Sequence, residues 1–250
     1  MIGIVGGVGP YAGLDLAHKV FDHTLAGSDQ EHLPLILLSL PATIPDRTAY
    51  LLGEVAENPG RPLATVINRL ATAGATVAGI ACNTAHAPAI YQEIVSQLQR
   101  QQVNIELLNL VTETIRFIKQ HYRGINKVGV LSTTGSYRFG VYSEPLRQAG
   151  LQPVLPDARM QEALVHTAIY HPEYGIKAQT NPVHPQARAQ LLQATGELVR
   201  QGAEIIIKGC TEIVLALPEE QLHGVPAVDP AVALARSLIS HYDPNKLKPL

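Results

Sequence analysis

The chain holds two cysteines, and both sit in the same kind of setting. Cys82 lies in ACNTAH and Cys210 in KGCTEI; each follows an apolar run and is followed by a threonine, directly or after Asn83. A free thiol has a pKa of about 8.5, so only a few per cent of it is ionised at neutral pH. Two thiols on opposite faces of one carbon can remove a proton from one side and deliver a proton from the other, which inverts that carbon. One must be ionised while the other is protonated, so each resting state serves one direction. Helix N-termini and polar neighbours would lower a thiol pKa, because free backbone N–H groups and the helix dipole favour an anion. Both cysteines are expected to open helices, with His86 and Glu212 as candidate tuning groups. Plainer readings stand beside these: a free cysteine can be a small buried hydrophobe, and His86 can be a packing residue at a helix start. The matched settings favour chemistry for the pair.

Strands that end in turns must position such thiols. Short apolar runs recur at 3–6 (GIVG), 33–40 (LPLILLSL), 76–81 (TVAGIA) and 105–110 (IELLNL), and again at 127–132 (KVGVLS), 151–155 (LQPVL) and 204–209 (EIIIKG). Runs without alternation suit parallel strands covered on both faces by helices. Helices are expected over 86–100 and over 229–242, the second with Asp229 as N-cap and Pro230 in its first position. Val5 lies 77 residues before Cys82, and Leu131 lies 79 before Cys210. Each set begins with a strand running into a turn of Gly, Ser or Thr (GGVGP, STTGS) and ends with a strand running into a cysteine. This repeat predicts an α/β fold of two pseudo-symmetric parallel-sheet domains. The first is expected to comprise 1–111 plus 222–250 and to carry Cys82; the second comprises 112–221 and carries Cys210. Ligands of open parallel sheets bind beyond the carboxyl ends of the strands, so the expected active site is the cleft between the domains, with one thiol on each side.

Composition narrows the partner. With 250 residues, 46% hydrophobic and 16% charged, the chain can bury a sizeable core. A formal net charge of -2 and the absence of like-charge blocks argue against nucleic acid and anionic membranes and for a small molecule. No apolar run approaches a membrane span, and the start MIGIVGG lacks the basic region of a signal peptide, so a cytoplasmic location is expected. Two cysteines make no disulfide framework, and no set of residues has zinc-ligand spacing; no metal is expected. A dinucleotide site fits poorly. Gly7, Gly9 and Gly13 are spaced one residue too widely for GxGxxG, and the second strand ends without an acidic residue for a ribose.

Six motifs, GIVGGVGP, IPDRT, ACNTAH, STTGS, YGIKA and KGCTEI, together resemble the aspartate/glutamate racemase superfamily from residue 1 to about 230. IPDRT and GCTE are more similar to its aspartate racemases than to its glutamate racemases, whose second cysteine motif usually reads GCTH. The first loop departs slightly, with GGVGP where many members have GGMGP. The resemblance implies a cofactor-independent amino-acid racemase with Cys82 and Cys210 as the proton-transfer pair. It implies that Asn83, Thr84, Thr133, Thr134 and Thr211 bind the α-carboxylate. It places Arg47 on the side-chain carboxylate and Lys177 in the same pocket, which favours a dicarboxylic amino acid, aspartate before glutamate. It also implies a homodimer. Two alternatives remain: a relative acting on glutamate, hydantoin, malonate or maleate, and, from another class, a non-catalytic ligand-binding or thiol redox sensor protein. The sensor keeps the cysteines but has no use for Arg47, Asn83 and the threonines together.

Overall fold

Each apolar run read from the sequence becomes a strand in the structure, a computed structural model that describes residues 1–250. The chain divides into two units, 1–113 with 231–250 and 114–230. The first unit contains β1 (Ile2–Gly6), α1 (Pro10–Asp22), β2 (Leu35–Ser39), α2 (Arg47–Leu51), α3 (Gly60–Thr72), β3 (Val77–Ile80), α4 (Pro88–Arg100) and β4 (Glu106–Leu108). Helix α5 (Leu110–His121) carries the chain into the second unit. There follow β5 (Lys127–Ser132), α6 (Thr134–Arg138), α7 (Ser143–Gln148), β6 (Gln152–Val154), α8 (Ala158–Met160), a π-helical turn (Gln161–His166) and α9 (Thr167–Tyr170). Next come α10 (Pro185–Arg200), β7 (Ile205–Gly209), α11 (Thr211–Ala216), β8 (Gln221–Leu222) and β9 (Val225–Val228), and α12 (Pro230–Tyr242) belongs to the first unit from Ala231 onward.

The repeat read from spacing reappears as strand order. The first sheet runs β2-β1-β3-β4 and the second β6-β5-β7-β9-β8, so each places its second, first, third and fourth parallel strands in the same sequence. Only the short β8–β9 pair is antiparallel. Residues 222–230, expected in the first domain, lie in the second unit, because β9 pairs with β7 through Ile206↔Ala227 and Ile207↔Val228. The stretch VPAV is short and holds a proline, so its pairing depends on β7 being beside it.

Burial follows from topology. β1, β3 and β7 are buried at every position while the edge strand β2 is half-buried, as parallel strands with helical crossovers on both faces require. In α3, Leu63, Val66, Ile67 and Leu70 form one buried stripe, and in α4, Ile90, Ile94 and Leu98 form another. The two helices pack together. Each such side chain contributes roughly 1.5–3 kcal/mol by leaving water, and a charge in place of Ile94 would be buried without a partner.

The glycine-rich loop after β1 has a packing purpose. At Gly7, φ is +76° and an added Cβ would lie 2.7 Å from the Leu40 nitrogen and 2.8 Å from that of Pro41, so only glycine allows the loop to lie against the chain leaving β2. No helix is long and apolar enough to cross a membrane.

Candidate active site

In the first unit Cys82 is buried just beyond β3, 6% exposed. It does not open an α-helix, as expected from sequence: Thr84–His86 form a 3₁₀ turn, and α4 begins only at Pro88. Pro88 explains the delay, since proline is suited to the first turn of a helix and its ring keeps the preceding residue extended. Asn83 and Thr84 are buried in this turn. His86 Nε2 accepts from the Leu110 N–H at 3.3 Å, so Nδ1 must carry the proton it gives to the Cys82 carbonyl at 2.9 Å. Burial pushes its pKa down to about 4, against weaker opposition from hydrogen bonds at Cys82 and Asn83. His86 is therefore a neutral ring joining the Cys82 turn to the start of α5, and it supplies no positive charge to the thiol.

Arg47 is buried at the start of α2, whose N-cap Asp46 accepts from the Ala49 N–H at 2.9 Å. Its Nη2 donates to the Val8 carbonyl at 3.0 Å and its Nη1 to that of Pro45 at 3.3 Å. The close approach at Gly7 thus brings the first loop to the IPDRT segment and sets the direction of the guanidinium. Helix α2 also packs on the 3₁₀ turn after Cys82. The structure brings Arg47, Asn83, Thr84, His86 and Cys82 into one neighbourhood of the first unit.

The second unit joins its residues by hydrogen bonds. Cys210 is the N-cap residue of α11 and is 4% exposed. Gly209 lets it sit deep: a Cβ there would lie 2.9 Å from the Leu131 carbonyl oxygen and 3.0 Å from the Tyr142 ring. The Cys210 thiol donates to Glu212 Oε2 at 3.0 Å, and Thr211 Oγ1 donates to the same oxygen at 3.1 Å. Lys177 Nζ donates to Glu212 Oε1 at 3.0 Å. Burial alone would raise the Glu212 pKa, but the Lys177 ammonium and the hydrogen bonds from Cys210 and Lys177 hold it down at about 2. The Cys210 thiol goes the other way. Burial and then the Glu212 charge push it well above its ordinary value, with Lys177 opposing. The expectation of a lowered pKa fails here, because α11 is short and a buried carboxylate faces the sulfur more closely than any dipole. Cys210 is a thiol, and both Lys177 and the Thr211 hydroxyl are directed to Glu212.

Thr133 caps α6, its Oγ1 accepting from the Ser136 N–H at 3.2 Å, and Thr134 is buried beside it. A chain of contacts links this turn to Cys210. Thr134 Oγ1 lies 3.1 Å from His166 Nδ1, His166 stacks on Tyr170 at 5.0 Å, and Lys177 sits 5.5 Å over the Tyr170 ring. Two groups were missed in the sequence. Gln161 and His166 reach Thr134 from a π-helical turn, which a search for the 3.6-residue period does not find. Lys208, buried in KGCTEI, donates to the carbonyls of Leu217 and Glu219, and Arg188 donates to that of Ala216; cations on these last carbonyls anchor α11 from its far end. The apolar run before Cys210 and its polar sequel hinted at Lys208 only as a charge in an otherwise buried strand. No group of three or more His, Cys, Asp or Glu side chains is gathered so as to hold a metal ion.

Comparison with known proteins agrees with this arrangement. The profile of the Asp/Glu/Hydantoin racemase family matches residues 5–238. The chain is 27% identical over 248 residues to the broad specificity amino-acid racemase RacX of Bacillus subtilis (strain 168), covering 97% of this chain and 98% of that one. Picrophilus torridus aspartate racemase superposes with a TM-score of 0.79 at 27% identity, over 99% of this chain and 95% of that one. Glutamate racemase from Francisella tularensis subsp. tularensis SCHU S4 superposes with a TM-score of 0.64 at 14% identity, over 100% of this chain and 83% of that one, a likeness of fold alone. With two parallel sheets of one strand order, a buried thiol after the third strand of each, and a family profile spanning nearly its whole length, the chain belongs to the Asp/Glu/Hydantoin racemase family.

Proposed function

We propose that the chain racemises a small acidic amino acid, aspartate first, by moving protons on and off Cα with Cys82 and Cys210 as the acid and base. The observation that carries this reading is the repeated placement of a buried thiol just past the third strand of two sheets with the same order. Losing the Cα proton leaves negative charge on the carbon and its carboxylate, and preorganised donors aimed at such charge supply the largest catalytic term in many enzymes. Asn83, Thr84, Thr133 and Thr134 are the proposed donors. They are neutral groups at strand-to-helix turns, which receive a carboxylate without adding a competing base. Arg47, already aimed by the carbonyls of Val8 and Pro45, is the proposed receptor for the side-chain carboxylate, which it can grip bidentately. The name of the Picrophilus relative supports aspartate.

A second reading is a wider choice of side chains. It is favoured by the Lys177–Glu212 pair, which compensates one of the two cations assigned to a dicarboxylate, and by the breadth named for the Bacillus relative. Circular dichroism of L-aspartate, L-glutamate and L-alanine incubated separately with the purified protein tests both. Loss of signal from aspartate alone supports the first, and loss from alanine as well supports the second. Constant signal from all three overturns both. Arg47→Ala should lower kcat/KM on aspartate by about a hundredfold, the size of a lost charge-assisted pair, and lower it less on alanine.

A further inference from the structure

Thr134 Oγ1 is approached by two groups on one turn. Gln161 Nε2 donates to it at 3.4 Å, a long bond, and donates to the Ser132 carbonyl at 3.1 Å. His166 Nδ1 lies 3.1 Å away. Residues 161 and 166 are five apart. In an α-helix, positions five apart diverge by about 140°, so they could not both face one hydroxyl. The i→i+5 bonding of the π-helical turn Gln161–His166 brings them onto one face. Such turns are rare and are found mostly where function holds them. Gln161 shows a second sign of this. It is 1% exposed, and its Oε1 is buried with no hydrogen-bond partner, a cost that packing alone does not explain.

A threonine hydroxyl has one hydrogen to give and two lone pairs to receive with. If His166 Nδ1 is bare, the Thr134 hydrogen goes to the ring and is lost to any substrate. If Nδ1 carries a proton, the ring and the Gln161 amide fill both lone pairs, and the hydrogen must point elsewhere. We propose that Gln161 and His166 are positioning residues which fill both lone pairs of Thr134 Oγ1 and so reserve its one hydrogen for the substrate carboxylate. The assignment rests on the proposed role of Thr134 as a substrate donor. The π-helical turn is the device that makes the double contact possible, and the Tyr170 ring stacked on His166 fixes the plane of the imidazole.

Two variants at one position separate hydrogen bonding from packing. His166→Asn keeps an amide donor near the Nδ1 position but loses the stack on Tyr170; His166→Phe keeps the stack and loses the donor. On the amino acid that wild type racemises, H166N should retain kcat/KM within about threefold, and H166F and Gln161→Leu should each lose about tenfold, the worth of roughly one hydrogen bond. Thr134→Val decides what these losses pass through. In a T134V background both should shrink to less than about twofold, the signature of coupled residues. A T134V enzyme with wild-type kcat/KM overturns the reading of Thr134 and this inference with it. A T134V enzyme that is impaired, on which the H166F and Q161L losses remain fully additive, overturns the inference alone. Should T134V be too weak for a cycle, the order of H166N and H166F decides: activity kept by H166F and lost by H166N overturns it. Imidazole ¹⁵N shifts report the tautomer without any assay, and a bare Nδ1 on His166 in the wild type would be equally fatal.

Discussion

The turn after β3 and the turn after β7 hold the same place in two sheets of the same order, yet they are built from different chemistry. Around Cys82 the tie is a neutral histidine, pinned between a carbonyl and an N–H, and it acts on the backbone of the turn. Around Cys210 the tie is ionic and acts on the sulfur itself: thiol to carboxylate, carboxylate to ammonium. Burial works against charge at both turns, and only one of them answers it. It keeps His86 uncharged, because a lone buried cation has no compensation, and it lets Glu212 stay charged only because Lys177 answers it. Topology can therefore be repeated while protonation is not. Burial and the Glu212 charge keep the proton on Cys210, the state from which the proposed reaction would have that thiol deliver it to Cα.

The largest effect should come from removing either sulfur. Cys82→Ser and Cys210→Ser should each lower racemisation on the order of a thousandfold, since an alcohol is a far weaker acid than a thiol and is almost never ionised to act as a base at neutral pH. Each variant keeps one thiol, so each should still exchange the Cα hydrogen of one enantiomer with deuterated water, and NMR should show opposite enantiomers for the two. Substantial racemisation by either variant would break the comparison outright.

Next is the neutral tie. The unfolded chain takes up a proton at His86 near its ordinary pKa of 6.5, whereas the folded chain resists until about 4. Between those values the unfolded state binds more protons, so stability must fall as pH falls, by up to about 3 kcal/mol at the low end. Urea unfolding across that window should show this loss in the wild type. His86→Gln keeps a donor and an acceptor but cannot titrate, and it should show a shallower fall; an identical slope would remove His86 as the cause.

The ionic tie should be visible in thiol reactivity. Because the Glu212 charge raises the Cys210 pKa and Lys177 lowers it, Glu212→Gln should speed alkylation of Cys210 by iodoacetamide at neutral pH severalfold. Lys177→Met should slow it. Site-resolved mass spectrometry gives Cys82 in the same samples as the control, and equal rates for wild type and E212Q would show that the carboxylate does not govern the sulfur.

The smallest effect lies at the support of Arg47. Asp46→Ala removes the N-cap of α2 and should cost about 1 kcal/mol in stability, read as a small drop in Tm. A variant as stable as wild type would mean that the contacts of Arg47 with Val8 and Pro45 hold the helix start without its cap.

The legible parts of the chain are those written in local pattern. Unbroken apolar runs marked β1 to β7, because a strand covered on both faces has no polar side to alternate with, and matched spacing exposed the repeat. Motif types drew attention to Cys82, Cys210, Arg47, Lys177 and Glu212. Other features left no such mark. Strand β9 is a four-residue segment with a proline, and only pairing with its neighbours β7 and β8 makes it a strand. The helix expected directly after Cys82 became a 3₁₀ turn because Pro88 resets the start.

The sequence by itself determined the α/β class, the alternation of strand and helix, and the kinds of groups that end up at the strand ends. These depend on periodicity, turn chemistry and side-chain type, which are properties of neighbours along the chain. Only the tertiary structure decided the state of those groups. Whether a histidine is charged, whether a thiol keeps its proton, and whether a lysine meets a substrate or a glutamate depend on burial and on the partners that folding sets around each group, several of them far away in sequence. Lys177 and Glu212 are 35 residues apart and His86 and Leu110 are 24 apart. In low dielectric burial and such contacts outweigh helix propensity and turn chemistry.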